Sequence, residues 1–287
     1  MAARRRAAKQ QSRGTASSGV APGKVEEVEE LSSPPTPIIY EVVRRLGEEE
    51  MSRPAVSLWW SGVAAGISIS FSLLAQAILQ TKLPDTPWRH LIVSFGYCIG
   101  FLMAVLARQQ LFTESTITAV LPVLADFRWR NIWAMARLWG VVLIANMVGT
   151  LFAAAFCSFT PVLSSDLLHG MLDISRALLD VTWPEMFFRA IGAGFLMVAM
   201  VWLMPSAESA QFHVVTLMTW LIAAGGFTHI VAGSMEAHML TIAGDWSWWR
   251  MDSDFIVPVL LGNVVGGTAL FALISYAQVM KEIGESA

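Results

Sequence analysis

Long apolar runs constrain the fold of this chain more than any other feature. A helix needs about 20 mostly apolar residues to cross the hydrocarbon core of a bilayer. Runs of this kind cover residues 58–79, 91–125 with one polar interruption, 138–163, 190–207, 212–243 and 255–280. Hydrophobic residues make up 55% of the chain and charged residues 14%, which excludes an ordinary soluble domain. The pattern predicts an all-α membrane protein with six transmembrane helices.

The segments outside these runs predict the domain organisation and the orientation. Residues 1–54 are charged and then proline-rich, which predicts a cytoplasmic and largely disordered tail, with an amphipathic helix at 38–53 on the membrane surface. Residues 55–281 are expected to form the membrane domain, and 282–287 a short cytoplasmic C-terminus. Arginines and lysines concentrate before the first run, so both termini should be cytoplasmic. Residues 164–185 between the third and fourth runs predict a second surface helix, on the outer side.

Polar residues interrupt the second run in the stretch "ARQQLFTEST" (107–116), and a similar interruption occurs in the fifth run. "LFTE" in the first half resembles "GFTH" in the second, which aligns Thr113 with Thr228 at an offset of 228 − 113 = 115. "ANMVG" resembles "GNVVG", which aligns Asn146 with Asn263 at an offset of 263 − 146 = 117. A repeat of three spans must be inverted in the membrane, so we expect an inverted 3+3 repeat with broken second and fifth helices around a pathway.

The residues at the two interruptions are the candidate functional residues. Thr113 and Thr228 are predicted to cap two half-helices, whose N-terminal ends would favour an anion at mid-membrane. Glu114 would oppose such an anion. An ionisable side chain within a span is a functional candidate by default, and His229 could donate a hydrogen bond or a proton to a solute. A core histidine bonded to a backbone carbonyl is the competing interpretation.

Other residues near the interruptions have two interpretations each. Asn146 and Asn263 lie among small residues, where an amide could simply join two packed helices. Large apolar side chains before each interruption could form constrictions of a pore, and ordinary core packing explains them nearly as well; these are Tyr97, Phe101 and Phe112 in the first half and Ile222 and Phe227 in the second.

The motifs "ARQQLFTEST", "TAVLPV", "GFTHIVAG" and "VPVLLGNVVGG" resemble the formate/nitrite transporter family over about residues 55–280, most closely its YfdC-like branch of inner-membrane proteins. The resemblance implies an aquaporin-like protomer, a homopentamer in the bacterial inner membrane, and one pore per protomer for a small monovalent anion or its weak acid. It also implies pore roles for Thr113, His229 and Asn263, with Thr228 and Phe112 beside them, and constrictions at Tyr97, Phe101 and Ile222.

The chain departs from that family at positions that bear on the solute. Gln110 replaces an acidic residue, Thr228 replaces a glutamate, and Gly233 replaces an asparagine. A neutral small-solute pore of the aquaporin type and a non-conducting membrane sensor or scaffold therefore stay open as alternatives. The remaining histidines lack metal-ligand spacing and no phosphate loop is present, so we expect no metal, no cofactor and no enzyme.

Overall fold

The computed structural model describes residues 34–207 and 209–284, and its folded body begins at Thr36. The predicted disorder of residues 1–33 lies outside the described residues. All regular structure in the described ranges is helical. The helices are α1 (Thr36–Ser52), α2 (Ala55–Lys82), α3 (Arg89–Leu106), α4 (Phe112–Thr118), α5 (Val120–Ala125), α6 (Trp129–Phe159), α7 (Ser165–Arg176), α8 (Trp183–Leu203), α9 (Gln211–Ala224), α10 (Ile230–Ala243), α11 (Trp248–Met251), α12 (Val257–Val264) and α13 (Leu273–Gly284).

Five helices are long and apolar enough to cross a bilayer, which confirms the membrane class. They are α2, α3, α6, α8 with the turn that follows it, and a continuous segment from Trp248 to Met280. That last segment joins α11, α12 and α13 through π-helical turns at Asp252–Ile256 and Val265–Ala272. The predicted fifth span consists of two short helices, α9 and α10, each too short to cross alone.

Both predicted interruptions are real breaks, and the two breaks have the same backbone geometry. A left-handed residue lies two positions after the end of each preceding helix, Arg108 with φ 52° after α3 and Gly226 with φ 64° after α9. The next N–H then bonds back five residues, from Gln109 to Ala104 and from Phe227 to Ile222. This turn satisfies carbonyls at a helix end and is usual for glycine, so Arg108 adopts a conformation that its Cβ disfavours.

The starts of the two half-helices correct the predicted caps. α4 begins at Phe112 and α10 at Ile230, so Thr113 lies inside its helix and Thr228 lies one residue before the cap. The cap of α10 is His229, whose ring accepts a hydrogen bond from Ala232 N–H. Both breaks therefore align at an offset of 118, since 226 − 108 and 230 − 112 give the same value. The predicted pairing of Thr113 with Thr228 was wrong by three residues. It aligned similar residue types at an offset of 115, whereas the backbone of the two breaks aligns at 118.

The helix before the first span packs against the bundle and does not simply lie on a membrane. Tyr40, Val43, Gly47 and Met51 are buried on one face of α1. Gly47 lies so close to the Thr118 carbonyl that a Cβ there would come within 1.6 Å of its oxygen. Arg137 on α6 donates hydrogen bonds to the carbonyls of Met51 and Arg53. Residues 36–52 thus belong to the folded body and not to the predicted tail.

Candidate pore site

Two buried asparagines bind the backbone at the two helix breaks in the same way. Asn146 on α6 accepts a hydrogen bond from Phe112 N–H and donates to the carbonyls of Gly62 and Gln110. Asn263 on α12 accepts from Ile230 N–H and donates to the carbonyls of Ala190 and Thr228. Each amide therefore binds the first N–H of a half-helix, the carbonyl two residues earlier and a carbonyl of a neighbouring helix. A broken helix in a membrane needs such partners for its free backbone groups.

The breaks bring Thr113 and His229 into contact. Thr113 Oγ1 lies 2.8 Å from His229 Nε2, and both residues are at most 1% exposed. His229 Nδ1 accepts the Ala232 N–H at 3.2 Å. A neutral ring with Nδ1 as acceptor carries its hydrogen on Nε2, so that hydrogen is donated to the threonine oxygen. The Thr113 hydroxyl hydrogen is then available to a third group.

This arrangement favours hydrogen bonding over proton donation by His229. A proton added to the ring would sit on Nδ1, where it would face the Ala232 N–H and remove the cap of α10. Phe101 contacts the ring edge to face, with ring centroids 5.1 Å apart. The His229 ring is therefore held between a backbone donor, a hydroxyl and an aromatic side chain.

Aromatic residues on one face of α3 lie beside the Thr113–His229 pair. Tyr97 and Phe101 lie one turn apart with ring centroids 5.0 Å from each other, and Val105 follows one turn later. Tyr97 lines one cavity and Val105 lines another, while Phe101 is completely buried between them. The two predicted constrictions on α3 thus lie beside the Thr113–His229 pair.

The two cavities lie towards opposite ends of α8. The larger, the α1 cavity, has a volume of about 400 Å³ and includes Met200 and Met204 in its lining. The smaller, the α7 cavity, has a volume of about 190 Å³ and includes Arg189 and His229. Because a helix rises 1.5 Å per residue, Arg189 and Met200 are about 17 Å apart along α8. The α7 cavity also touches Ile174 and Leu178, which belong to the segment 164–185 predicted to form the second surface helix.

Carboxyl groups line both cavities, and the sequence analysis missed most of them. Glu50 and Glu114 line the α1 cavity, and Glu236 lines the α7 cavity. Glu50 accepts hydrogen bonds from Thr118 and from Gln110 Nε2. Burial raises the pKa of the Glu50 carboxyl, and the hydrogen bonds from Thr118 and Gln110 oppose that rise. Glu236 stands seven residues after His229, which puts both on one helix face, and this spacing was the available signal.

The remaining predicted site residues lie around the pair and not on it. Phe112 packs on Trp139 with ring centroids 5.9 Å apart, and Ile222 is fully buried in the core. Thr228 lines the α7 cavity but donates its hydroxyl to the Met186 carbonyl. Asn263 is completely buried, and its amide forms hydrogen bonds with backbone groups. Among the described residues no cluster of three or more His, Cys, Asp or Glu side chains could hold a metal ion.

Comparison with known proteins decides the family. The family model described as formate/nitrite transporter matches residues 37–277. The chain belongs to the formate/nitrite transporter family. It is 42% identical to the inner membrane protein YfdC of Escherichia coli (strain K12), over 91% of this chain and 84% of that protein. It is 29% identical to the formate channel FocA of Haemophilus influenzae, over 75% and 84% of the two chains.

Solved structures of similar shape agree with the family fold. A pentameric formate channel with formate bound superposes with a TM-score of 0.68 at 22% identity, covering 79% of this chain and 98% of that one. An ion channel of the same family superposes with a TM-score of 0.71 at 18% identity, covering 85% and 98%. This formate/nitrite transporter family member therefore has the helical fold of its relatives.

Proposed function

We propose that this protein is a transmembrane channel or proton-coupled transporter for a small monovalent anion or its weak acid. The observation that carries the proposal is the contact between Thr113 and His229, 2.8 Å apart, because His229 lines the α7 cavity and Glu114, the residue after Thr113, lines the α1 cavity. Membership of a transporter family and the formate channels among its relatives support the same class of solute. A hydroxyl with a free hydrogen, oriented by a neutral histidine, suits an oxygen of such a solute.

The proposed architecture is an inverted 3+3 repeat with six crossings, in which α3 to α5 and α9 to α10 form the two broken spans. The matched Asn146 and Asn263 contacts and the common offset of 118 at the breaks support it. In such a repeat the pathway lies where the two broken helices meet. Thr113 on one half and His229 on the other would then face each other across the pathway.

The path runs from the α1 cavity past Phe101 to the Thr113–His229 pair and out by the α7 cavity. Tyr97 and Phe101 form its aromatic constriction, and Phe101 must move for a solute to pass because it is fully buried. Asn263 and Thr228 position the break behind His229, while Phe112 and Ile222 support it from the core. Each of these residues acts on the backbone or packing of the pair.

We further propose a homopentamer in a bacterial inner membrane, with both termini in the cytoplasm. The relative YfdC is named an inner membrane protein, and a structural neighbour is named a pentameric formate channel. Large apolar side chains on the outer helix faces, such as Trp60, Phe152 and Phe188, are more than half exposed in the single chain and suit lipid or a second protomer.

The test is flux into proteoliposomes with a panel of formate, nitrite, hydrosulfide, acetate and glycerol, for wild type, Thr113→Val and His229→Phe. Losing the hydroxyl donor removes one hydrogen bond worth about 1.5 kcal/mol, so formate flux should fall at least about tenfold in Thr113→Val. Thr219→Val is the matched control, because its buried hydroxyl bonds only carbonyls of its own helix. This control should conduct like wild type.

The outcomes separate the candidate functions. Acid or anion flux that falls in both variants and persists in Thr219→Val supports the proposal. Unchanged formate flux in correctly assembled Thr113→Val and His229→Phe would refute the role of the pair. Flux of glycerol alone would indicate a neutral-solute pore, and no flux from assembled wild type would indicate a sensor or scaffold.

A further inference from the structure

Unpaired oxygen atoms concentrate in the wall of the α1 cavity. Within residues 34–207 and 209–280, six buried side-chain nitrogen or oxygen atoms have no hydrogen-bond partner. Three of the six belong to Gln109, Gln110 and Glu114, which all line this one cavity. A buried acceptor without a donor is costly, so oxygens of this kind point to a ligand that brings hydrogen atoms or is itself positive.

The orientation of the Gln110 amide is fixed by α1. Its Nε2 donates to Glu50 Oε1 at 3.1 Å, and an ionised carboxyl only accepts, so Oε1 is the amide atom left without a partner. Gln110 is 6% exposed, and its Oε1 is unpaired among the described residues. The side chain therefore offers the α1 cavity a buried acceptor that is held in place at its other end.

Glu114 lies on the same side of the first break as Glu50. Glu114 and Thr118 are one turn apart on α4, and the Thr118 hydroxyl donates to Glu50 Oε2 at 2.5 Å. Among the side chains of residues 34–207 and 209–280, no cationic nitrogen lies within 4.0 Å of either carboxyl. Two neighbouring carboxyls of the α1 cavity thus have no ion pair in this part of the chain.

Helix ends add negative potential at the same cavity. Three helices end beside it, α1 at Ser52, α3 at Leu106 and α8 at Leu203. The free carbonyl groups at a helix C-terminus act like about half a negative charge. The helices α4 and α9 begin at the cavity, and Glu114 in the first turn of α4 offsets the positive end of that helix. The backbone and the carboxyls therefore both favour a cation.

We propose that the α1 cavity binds a monovalent alkali cation, Na⁺ or K⁺. The ligands are the unpaired oxygens of Gln109, Gln110 and Glu114, with the Glu50 carboxyl beside them. Carboxyl and amide oxygens are ligands for hard cations, and carbonyl oxygens at broken helices bind Na⁺ in membrane transporters. An anion has acceptors only, so it would gain no bond from these oxygens. Such a site is independent of the solute that crosses the pore.

The other charged groups of the cavity favour a single positive charge. Glu49, Arg53 and Arg108 complete the ionisable lining, which makes three carboxyls and two guanidinium groups. Arg108 is exposed and Arg53 is half-buried, so both side chains are in contact with water. The excess of one carboxyl matches one monovalent cation. A divalent ion is disfavoured because amide oxygens stand in place of further carboxyls, and no group of three metal-ligating side chains occurs among the described residues.

A cation at this position would join α1 to the first break, because Glu50 belongs to α1 and the other ligands belong to residues 109–114. A ligand that binds only the folded state stabilises it. At a concentration of ten times Kd, the ratio of folded to unfolded protein rises about elevenfold. For a large single chain this raises Tm by about 3–6 °C.

The test measures Tm of the full-length protein in detergent and the binding of radioactive sodium, or of rubidium as a substitute for potassium, to the same preparation. NaCl and KCl are compared with choline chloride at equal concentration, since choline supplies the same ionic strength but neither a small ionic radius nor an N–H donor. We expect saturable binding of an alkali ion and a rise in Tm that choline chloride does not reproduce. The absence of saturable binding, or an equal Tm in all three salts, would overturn the inference.

Two variants with opposite expected effects test the residues. Glu114→Gln keeps the volume and removes a charge, so it should weaken cation binding at least about tenfold. Gln110→Glu adds a carboxyl and should tighten the binding at least about tenfold at pH 8, a gain that misfolding cannot produce. Glu48→Gln, at an exposed carboxyl of α1, is the control and should bind like wild type. Assembled variants that both bind like wild type would overturn the inference, and the wild-type measurement decides the matter if neither assembles.

Discussion

Replacing Asn263 by alanine should destabilise the protein more than almost any other single polar deletion. Its amide makes three hydrogen bonds at 2.8 to 3.1 Å, all to backbone groups, and is completely buried. Hydrogen bonds between helices in a membrane are worth about 0.6 kcal/mol on average and up to about 1.7. Three of them therefore predict a loss of about 2–5 kcal/mol, with the Ile230 N–H left without a partner.

The assay is the melting temperature of the assembled protein in detergent, followed by tryptophan fluorescence. A loss of that size should lower Tm by about 4–20 °C, at the about 2–4 °C per kcal/mol typical of large single chains. Asn131→Ala is the control, since its amide bonds the Asp126 carbonyl near the surface. Asn146→Ala should match Asn263→Ala, because its three contacts are equivalent. An Asn263→Ala protein that melts within 1 °C of the control would refute the account of the breaks.

Two further predictions concern α1. Gly47→Ala would force a Cβ against the Thr118 carbonyl, so we expect the free energy of unfolding to fall by about 1–3 kcal/mol and proteolytic cleavage after α1 to become faster. The control is Leu46→Ala on the exposed face of α1. Equal cleavage of both variants would contradict the packing of α1. Because the folded state raises the pKa of Glu50, it binds that proton more tightly than the unfolded state, so stability is present at low pH and is lost as pH rises through the raised pKa. Stability should therefore fall in wild type as the pH rises above the ordinary pKa of the carboxyl, 4.5, and Tm should fall with it. In Glu50→Gln this loss of stability should be smaller by about 1.4 kcal/mol for each unit of pKa shift removed. Identical pH profiles would contradict this.

Periodicity and composition were sufficient to predict the membrane class, the two breaks and the Thr113 and His229 candidates. The apolar runs are set by the thickness of the bilayer, and polar residues within them are rare enough to mark breaks. The exact start of each half-helix was not predictable in this way. It depends on hydrogen bonds from Asn146 and Asn263, which are distant in sequence, and on a left-handed turn that the first half makes with Arg108 where the second uses Gly226.

The acidic lining of the cavities escaped the sequence analysis for a different reason. Glu50 belongs to α1, which precedes the first span and reaches the first break only because Gly47 permits close packing on α4. Such a contact has no periodic signature. Glu236 did have one, since it lies on the same helix face as His229, and a test of spacing along α10 would have found it.

The asparagine contacts also bear on how such a pore can diversify. Asn146 and Asn263 bind main-chain atoms of the breaks and no side chain there. Substitutions of the Gln109 or Gln110 side chain therefore leave these main-chain contacts at the first break intact. In the proposed channel, the residues that fix the backbone at the two breaks are thus separate from the side chains that line the cavities, so point mutations can change the lining without rebuilding the breaks.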